Sequence, residues 1–279
     1  MIDKNVLSIY KMLASSLSQQ VVTSEDVEHA KLCWLVHFRC HQELNRLIKE
    51  SKDRKGYHEL IESLVTEIMG SAWTLTGHGI TKRLNAQFDD AQKTRIVSLI
   101  EEFSDFLDDE IGVKSFITSG TLLGCIRDSD FIGHDDDIDL AYVSNYESKD
   151  EIIAERILIF NCINSHQSFR AEERDGQRLV VKVKDGELEF WFDLFSAFCR
   201  DGFFNECPLK PNTLRASDIV PLKKVDFLGG KVPVPNNPEK LLELNYGSGW
   251  ATPDPAFRFD FGEHQHFYWF LKSNPIREA

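Results

Sequence analysis

Apolar positions in the first 110 residues recur at helical spacing. Val6, Ile9, Tyr10, Leu13 and Leu17 make one set, and Leu32, Leu35, Val36 and Cys40 another; each set places its side chains on one helix face. Ser24-Glu25-Asp26 with Glu28 close behind reads as a helix start. Gly56 and the Gly70 to Gly79 stretch punctuate further helices, and Phe88 to Glu110, with Ile96, Leu99, Ile100, Phe103 and Leu107, predicts a long one. The acidic end of that helix, Glu101 to Glu110, reads as a solvated face.

Beyond residue 110 the period changes. Lys114 to Thr118 reads as a short buried strand, broken by Ser119-Gly120-Thr121, after which Leu122, Leu123 and Ile126 fall at helical spacing. The run from Asp137 to Val143 alternates like a strand. Lys149 to Ser165 predicts a helix. Phe169 to Glu173, Arg178 to Lys184 and Glu187 to Phe195 predict three strands, with turns at Asp175-Gly176 and Asp185-Gly186. Val225 to Val234 predicts a hairpin around Gly229-Gly230, and Pro238 to Tyr246 a short helix with Asn236 or Asn237 as its cap. The whole is an α+β chain: a mixed sheet flanked by helices, preceded by a helical region.

Chemistry concentrates where strands begin. Asp135, Asp137 and Asp139 are two residues apart and can line one strand face, with Ile138 pointing the other way. Carboxylates this close repel one another unless a hard cation sits among them. The Ser119-Gly120-Thr121 break offers backbone N–H groups and two hydroxyls to a phosphate. A phosphate cradle facing a metal site is the equipment of phosphoryl or nucleotidyl transfer. Asp193 stands alone in Phe190-Trp191-Phe192-Asp193-Leu194-Phe195, and a buried carboxylate needs a compensating partner. That partner is either an ion-pair mate or a metal shared with Asp137 and Asp139. Arg178, Lys182 and Lys184 share a strand face, as solvated edge-strand groups or as a clamp over a diphosphate.

Ser119 to Arg127, followed by Phe131-Ile132-Gly133-His134-Asp135-Asp136-Asp137-Ile138-Asp139-Leu140, closely resembles the signature of LicD-type transferases. These are relatives of fukutin and fukutin-related protein within the nucleotidyltransferase-fold superfamily. The likeness continues more weakly through Phe190 to Phe195 and Leu241 to Gly247, covering roughly residues 95–260. One departure is Gly133-His134, where family members commonly carry Pro-Trp. The resemblance implies a nucleotidyltransferase-like domain over 91–279 with a helical accessory region over 1–90. It implies Asp137, Asp139 and Asp193 as metal ligands and catalytic groups, with Mg²⁺ or Mn²⁺ as the ion. Ser119, Gly120, Thr121, Asp135 and Lys182, read from the residues, and Arg127 and Tyr246, matched by the resemblance, are the expected substrate-binding residues. The expected reaction moves phosphocholine or a polyol phosphate from a CDP-linked donor to a glycan hydroxyl, in cell-surface polysaccharide synthesis. The competing readings are nucleotidyl transfer from a nucleoside triphosphate and a non-catalytic binding module.

Composition narrows these expectations. A net charge of −13 over 279 residues supplies no basic stripe for a nucleic acid. No apolar run approaches the roughly 18–20 residues that span a bilayer, so membrane association is expected to be peripheral at most. Met1 to Leu17, broken by Lys, Asp, Asn and Ser, does not read as a signal peptide. Six cysteines lack zinc-ligand spacing and read as reduced core residues of a cytoplasmic protein. Cys33 and Cys40, seven apart, are expected on one helix face, and the His264/His266 pair reads as packing.

Overall fold

Capping and patterning explain where the elements of the chain begin and end. The computed structural model describes residues 24–76, 79–133, 135, 137–174, 176–254, 257, 262–272 and 276. The helical set at Val6 to Leu17 lies outside them. Two compact units divide the chain: Met1–Gln87 with Gly133–Asp136 and Asp254–Arg258, and Phe88–Ile132 with Asp137–Pro253 and Phe259–Ala279.

In the first unit, α1 (Ser24–His37), α2 (His41–Glu50) and α3 (Arg54–Met69) close around Leu32, Val36, Leu44, Ile61 and Val65. Asp53 caps α3 by accepting the Gly56 N–H at 2.9 Å. This stretch is not wholly helical: β1 (Trp73–Leu75) and β2 (Ile80–Lys82) form a small antiparallel ribbon, and a one-turn α4 (Leu84–Gln87) follows. Trp73, Thr74, Ile80 and Thr81 supply the aromatic and β-branched side chains that favour extended chain there. Cys33 and Cys40 do not share a helix either, because α1 ends at His37 and Cys40 is the N-cap residue of α2.

The second unit opens with α5 (Asp90–Ile111). Asp89 and Gln92 form a reciprocal capping box at its start, and Gly112, at φ 78°, ends it in the left-handed conformation. Next come β3 (Lys114–Ile117), α6 (Ser119–Leu123), a π-turn (Gly124–Asp128), β4 (Asp139–Ser144) and α7 (Lys149–Ser165). Then follow β5 (Phe169–Glu173), β6 (Arg178–Asp185), β7 (Leu188–Arg200), β8 (Phe203–Asn205), β9 (Leu214–Arg215), α8 (Ala216–Ile219), the hairpin β10 (Lys223–Phe227) with β11 (Gly230–Val234), and α9 (Pro238–Tyr246). A 3₁₀ turn (Glu263–Tyr268) and α10 (Trp269–Lys272) end the chain's described elements.

The sheet runs β3-β4-β7-β6-β5, with β8 and β9 continuing from β7. Among the described residues only β4 and β7 pair in parallel; the other ladders are antiparallel. One face carries Leu140, Val181, Phe192 and Leu194, all buried. Phe103 of α5 meets Phe169 and Phe192 from that side, at 5.0 and 4.8 Å between ring centroids. The buried hydroxyls of Tyr142 and Ser196, 3.0 Å apart, join β4 to β7. The opposite face carries Asp139, Asp193, Arg178 and Lys182.

Three details differ from the sequence reading. β4 begins at Asp139 rather than Asp137, because its ladder with β3 ends at the Ile117–Leu140 pair, where β3 gives way to the Ser119 turn. β6 is an interior strand between β7 and β5, so its lysines are not edge-strand groups. Asn237 occupies the N-cap position of α9, but its side chain donates to Asp218 at 2.8 Å instead of capping.

Gly124 sets how closely the turn after α6 can pack. A Cβ there would lie 2.4 Å from the backbone oxygen of Asp130 and 3.1 Å from the nitrogen of Ile132. Gly124→Ala is therefore expected to destabilise the protein by about 1–3 kcal/mol, the range for overpacking. Urea denaturation measures this, and an unchanged midpoint would show that the turn yields freely.

Candidate active site

The parallel ladder sets Asp139 of β4 directly opposite Asp193 of β7. Asp137 lies two residues upstream, where the Asp193 N–H still donates to the Ile138 carbonyl at 2.8 Å. Carboxylate oxygens of Asp137, Asp139 and Asp193 all lie within 4.8 Å of one another. Asp139 and Asp193 are buried and Asp137 is half-buried. Two ligands of one small divalent cation, bound at about 2.1 Å, lie at most about 4.2 Å apart. The three oxygens need close only slightly to share such an ion, and an all-oxygen donor set suits a hard cation.

The Ser119-Gly120-Thr121 turn serves Asp139. The Thr121 hydroxyl accepts the Asp139 N–H at 2.8 Å, and the Gly120 N–H donates to Asp139 Oδ2 at 3.3 Å. The Thr118 N–H donates to the Asp139 carbonyl at 3.0 Å. Ser119 makes this possible by adopting φ 47°, a left-handed conformation costly for a residue with a Cβ. Gly120 and Thr121, read from sequence as phosphate contacts, thus hold a carboxylate in place; half-buried Ser119 completes the turn.

Asp193 has two kinds of neighbour at once. Arg178 Nη1 donates to its Oδ2 as an ion pair, so one cation offsets part of the charge gathered by three acids. Asp193 therefore stands in an ion pair and beside Asp137 and Asp139 at once. Arg127 grips Asp128 in a two-pronged pair at 2.8 and 2.7 Å and reaches the Trp250 carbonyl at 3.4 Å. Nearby, Lys93 pairs with Asp130 at 3.0 Å. Lys182 lies on the same sheet face as Asp193 and pairs with Glu172 of β5. Tyr246, half-buried, is the last residue of α9, a helix that packs against α6. Asp135 belongs to the first unit, where its carbonyl accepts the Leu84 N–H at 2.8 Å. His134 and Asp136 lie outside the described residues. His266 packs edge-on against Trp269, with ring centroids 3.9 Å apart.

Sequence reasoning missed Glu206 and Thr118. The Thr118 hydroxyl donates to both oxygens of Glu206, at 3.0 and 3.2 Å, immediately before the Ser119 turn. Burial pushes the Glu206 carboxyl up to about 8, against a smaller opposing effect of the Thr118 bond. The signal was available: an acid flanked by Phe203-Phe204 and Cys207-Pro208-Leu209 is as conspicuous as Asp193 among its aromatics.

Residues 112–237, from the end of α5 to the start of α9, match the family model described as LicD/FKTN/FKRP, nucleotidyltransferase domain. This segment belongs to the LicD family. No curated protein matches the chain. The LicD segment contains Asp137, Asp139, Asp193, Arg178 and Glu206, whereas Tyr246 lies just past it. Membership in the family supports a transferase. Among the described residues, no helix is long and apolar enough to cross a membrane.

Metal binding to the three acids is measurable without turnover. Mn²⁺ or Mg²⁺ at a hundred times its dissociation constant should stabilise the protein by about 2.7 kcal/mol. Asp139→Asn, which keeps an acceptor for the Gly120 N–H, should remove that gain and leave the metal-free protein folded. Thermal melts of both proteins with and without the ion test this; an equal gain in the variant would place the ion elsewhere.

Glu206 gives stability a pH dependence of definite sign. The unfolded chain releases this proton near the ordinary value of 4.5, whereas the folded protein keeps it to about 8. The folded state binds more protons in between, so this contribution is full below 4.5 and is lost as pH rises toward 8. Glu206→Gln, an uncharged isostere, should flatten that decline and raise the melting temperature relative to the parent at pH 8 and above. Parallel melting curves of the two proteins across pH 5 to 9 would contradict the assignment.

Proposed function

We propose that the LicD domain transfers a phospho-alcohol, phosphocholine or a polyol phosphate, from a CDP-linked donor to a glycan hydroxyl. The acceptor oxygen forms a bond to the phosphorus bearing the alcohol, the bond from that phosphorus to the oxygen of CMP breaks, and CMP leaves. The observation that carries this reading is the convergence of Asp137, Asp139 and Asp193 within 4.8 Å, inside a LicD segment. A divalent cation held by these three acids, Mg²⁺ or Mn²⁺, would supply positive charge for the donor phosphates and for the leaving oxygen.

The chain's own groups do the rest. Asp193 accepts the proton of the attacking hydroxyl, and Arg178 fixes its orientation from the neighbouring strand. Ser119 contacts the donor phosphates, while Gly120 and Thr121 keep Asp139 in register. Arg127 ties the turn after α6 to Trp250, beside the α9 segment that ends at Tyr246. Lys182 flanks the acceptor side. Residues 1–90 act as an accessory region that concerns the acceptor or a partner rather than the donor. The six cysteines are not joined in disulfides, and the reaction is proposed to be cytoplasmic.

Incubating the protein with Mg²⁺ and a panel of CDP-alcohols tests the proposal by mass spectrometry. CMP should appear together with a phospho-alcohol adduct on the glycan, and Asp193→Ala should lower the rate at least ~10²-fold, the scale of general-base loss. Pyrophosphate released from a nucleoside triphosphate, with no CMP from any CDP-alcohol, would replace this reading with nucleotidyl transfer.

A further inference from the structure

The acidic cluster continues into an open part of the sheet. Past Asp193, on the face opposite the aromatic core, Glu189 and Trp191 of β7, Lys182 and Lys184 of β6 and Glu172 of β5 are all exposed among the described residues. Trp191 is the apolar centre of this patch, 53% exposed. Strand period puts it on the same face as Asp193, about 7 Å along β7. Lys182 is its cross-strand neighbour on β6, and Lys182 in turn pairs with Glu172. Lys184 and Glu189 pair at 2.8 Å one position further on. A flat ring bordered by charged hydrogen-bonding groups, one residue pair from three carboxylates, is not an arrangement that folding requires. Its neighbours Phe190 and Phe192 point into the core and do the packing.

We propose that Trp191 is the platform for a pyranose ring of the acceptor glycan, with Lys182 and Glu172 binding its hydroxyls. A pyranose has an apolar C–H face and a rim of hydroxyls, which matches an indole bordered by an ammonium and a carboxylate. Strand order selects the acceptor over the donor base. The Ser119 turn lies on the β3–β4 side of Asp139, whereas Trp191 lies on the β7–β6 side of the cluster. A donor held by its phosphates near Ser119 leaves the Trp191 side to the acceptor, whose hydroxyl then reaches Asp193 one sugar-length away. The assignment of this ring to an acceptor rests on the transfer reaction proposed above, but its binding to a saccharide does not require turnover.

The experiment is therefore a titration without donor. The indole N–H resonance of Trp191, identified in ¹⁵N-labelled full-length protein by its loss in Trp191→Phe, is followed during addition of methyl β-glucoside, methyl β-galactoside and methyl N-acetyl-β-glucosaminide, and separately of CMP with Mg²⁺. The expected result is a saturable shift with at least one saccharide and none with CMP. A shift with CMP would assign the ring to the nucleobase, and no shift with any saccharide would remove the platform; either outcome overturns the proposal. In the transfer assay, Trp191→Ala should raise the KM for the glycan roughly tenfold, with Trp191→Phe recovering most of it and the KM for the donor moving less than twofold. If the wild-type protein releases no CMP while a saccharide still shifts Trp191, the reaction has been misassigned and the sugar platform stands.

Discussion

The parallel pairing of β4 with β7 is the constraint on which the site depends. In an otherwise antiparallel sheet, this one ladder sets Asp139 and Asp193 side by side at the same level. Antiparallel pairing would have matched each acid with a different neighbour. Placing two buried carboxylates together is unfavourable by itself. The hydrophobic face makes it tolerable: Leu140 and Leu194, the next residues on each strand, are in register with each other and fully buried. A slip of one residue would bring the acids into that core and the leucines out of it. The same alternation that stabilises the sheet therefore presents the charges.

The rest of the site is built to hold that pair of acids still. Thr118, Gly120 and Thr121 bond respectively to the carbonyl, carboxylate and N–H of Asp139. This clamp needs the left-handed backbone of Ser119, a local strain that the surrounding packing must offset. Glu206 supports the clamp from beneath through Thr118. Its buried carboxyl carries no partner charge in its Thr118 bonds, so neutrality is its cheapest state at moderate pH. On the other flank, Arg178 meets Asp193. A buried ion pair seldom adds net stability over apolar packing; here its use is orientation.

Much of this was legible in the sequence because the signals were local. Lys149–Ser165, Phe169–Glu173 and Pro238–Tyr246 are bounded by caps, turns and periodicity that lie within or beside the segments themselves. The carboxylates were legible for a similar reason: an acid inside an apolar alternation is conspicuous wherever it occurs. Illegible features were those decided by pairing. That β4 and β7 run parallel, that β6 is interior, and that Arg178 rather than another cation reaches Asp193 are facts of strand order. The start of β4 at Asp139 was equally hidden. Alternation continues back to Asp135, but a strand extends only as far as its neighbours offer N–H and C=O groups, and β3 gives way to the Ser119 turn.

The Ser119-Gly120-Thr121 turn already has one acceptor within the chain. A strand, a small-residue turn and a short helix present free N–H groups, and an anion is expected on them. In this protein the nearest anion is covalently part of the chain: Asp139 Oδ2 takes the Gly120 N–H. Spacing along the chain says what a turn offers but not which group is closest in space. Gly120 and Thr121 bond directly to Asp139, so disturbing either should shift that residue. The turn and the acidic cluster thus form one unit, in which backbone geometry and carboxylate geometry cannot vary independently.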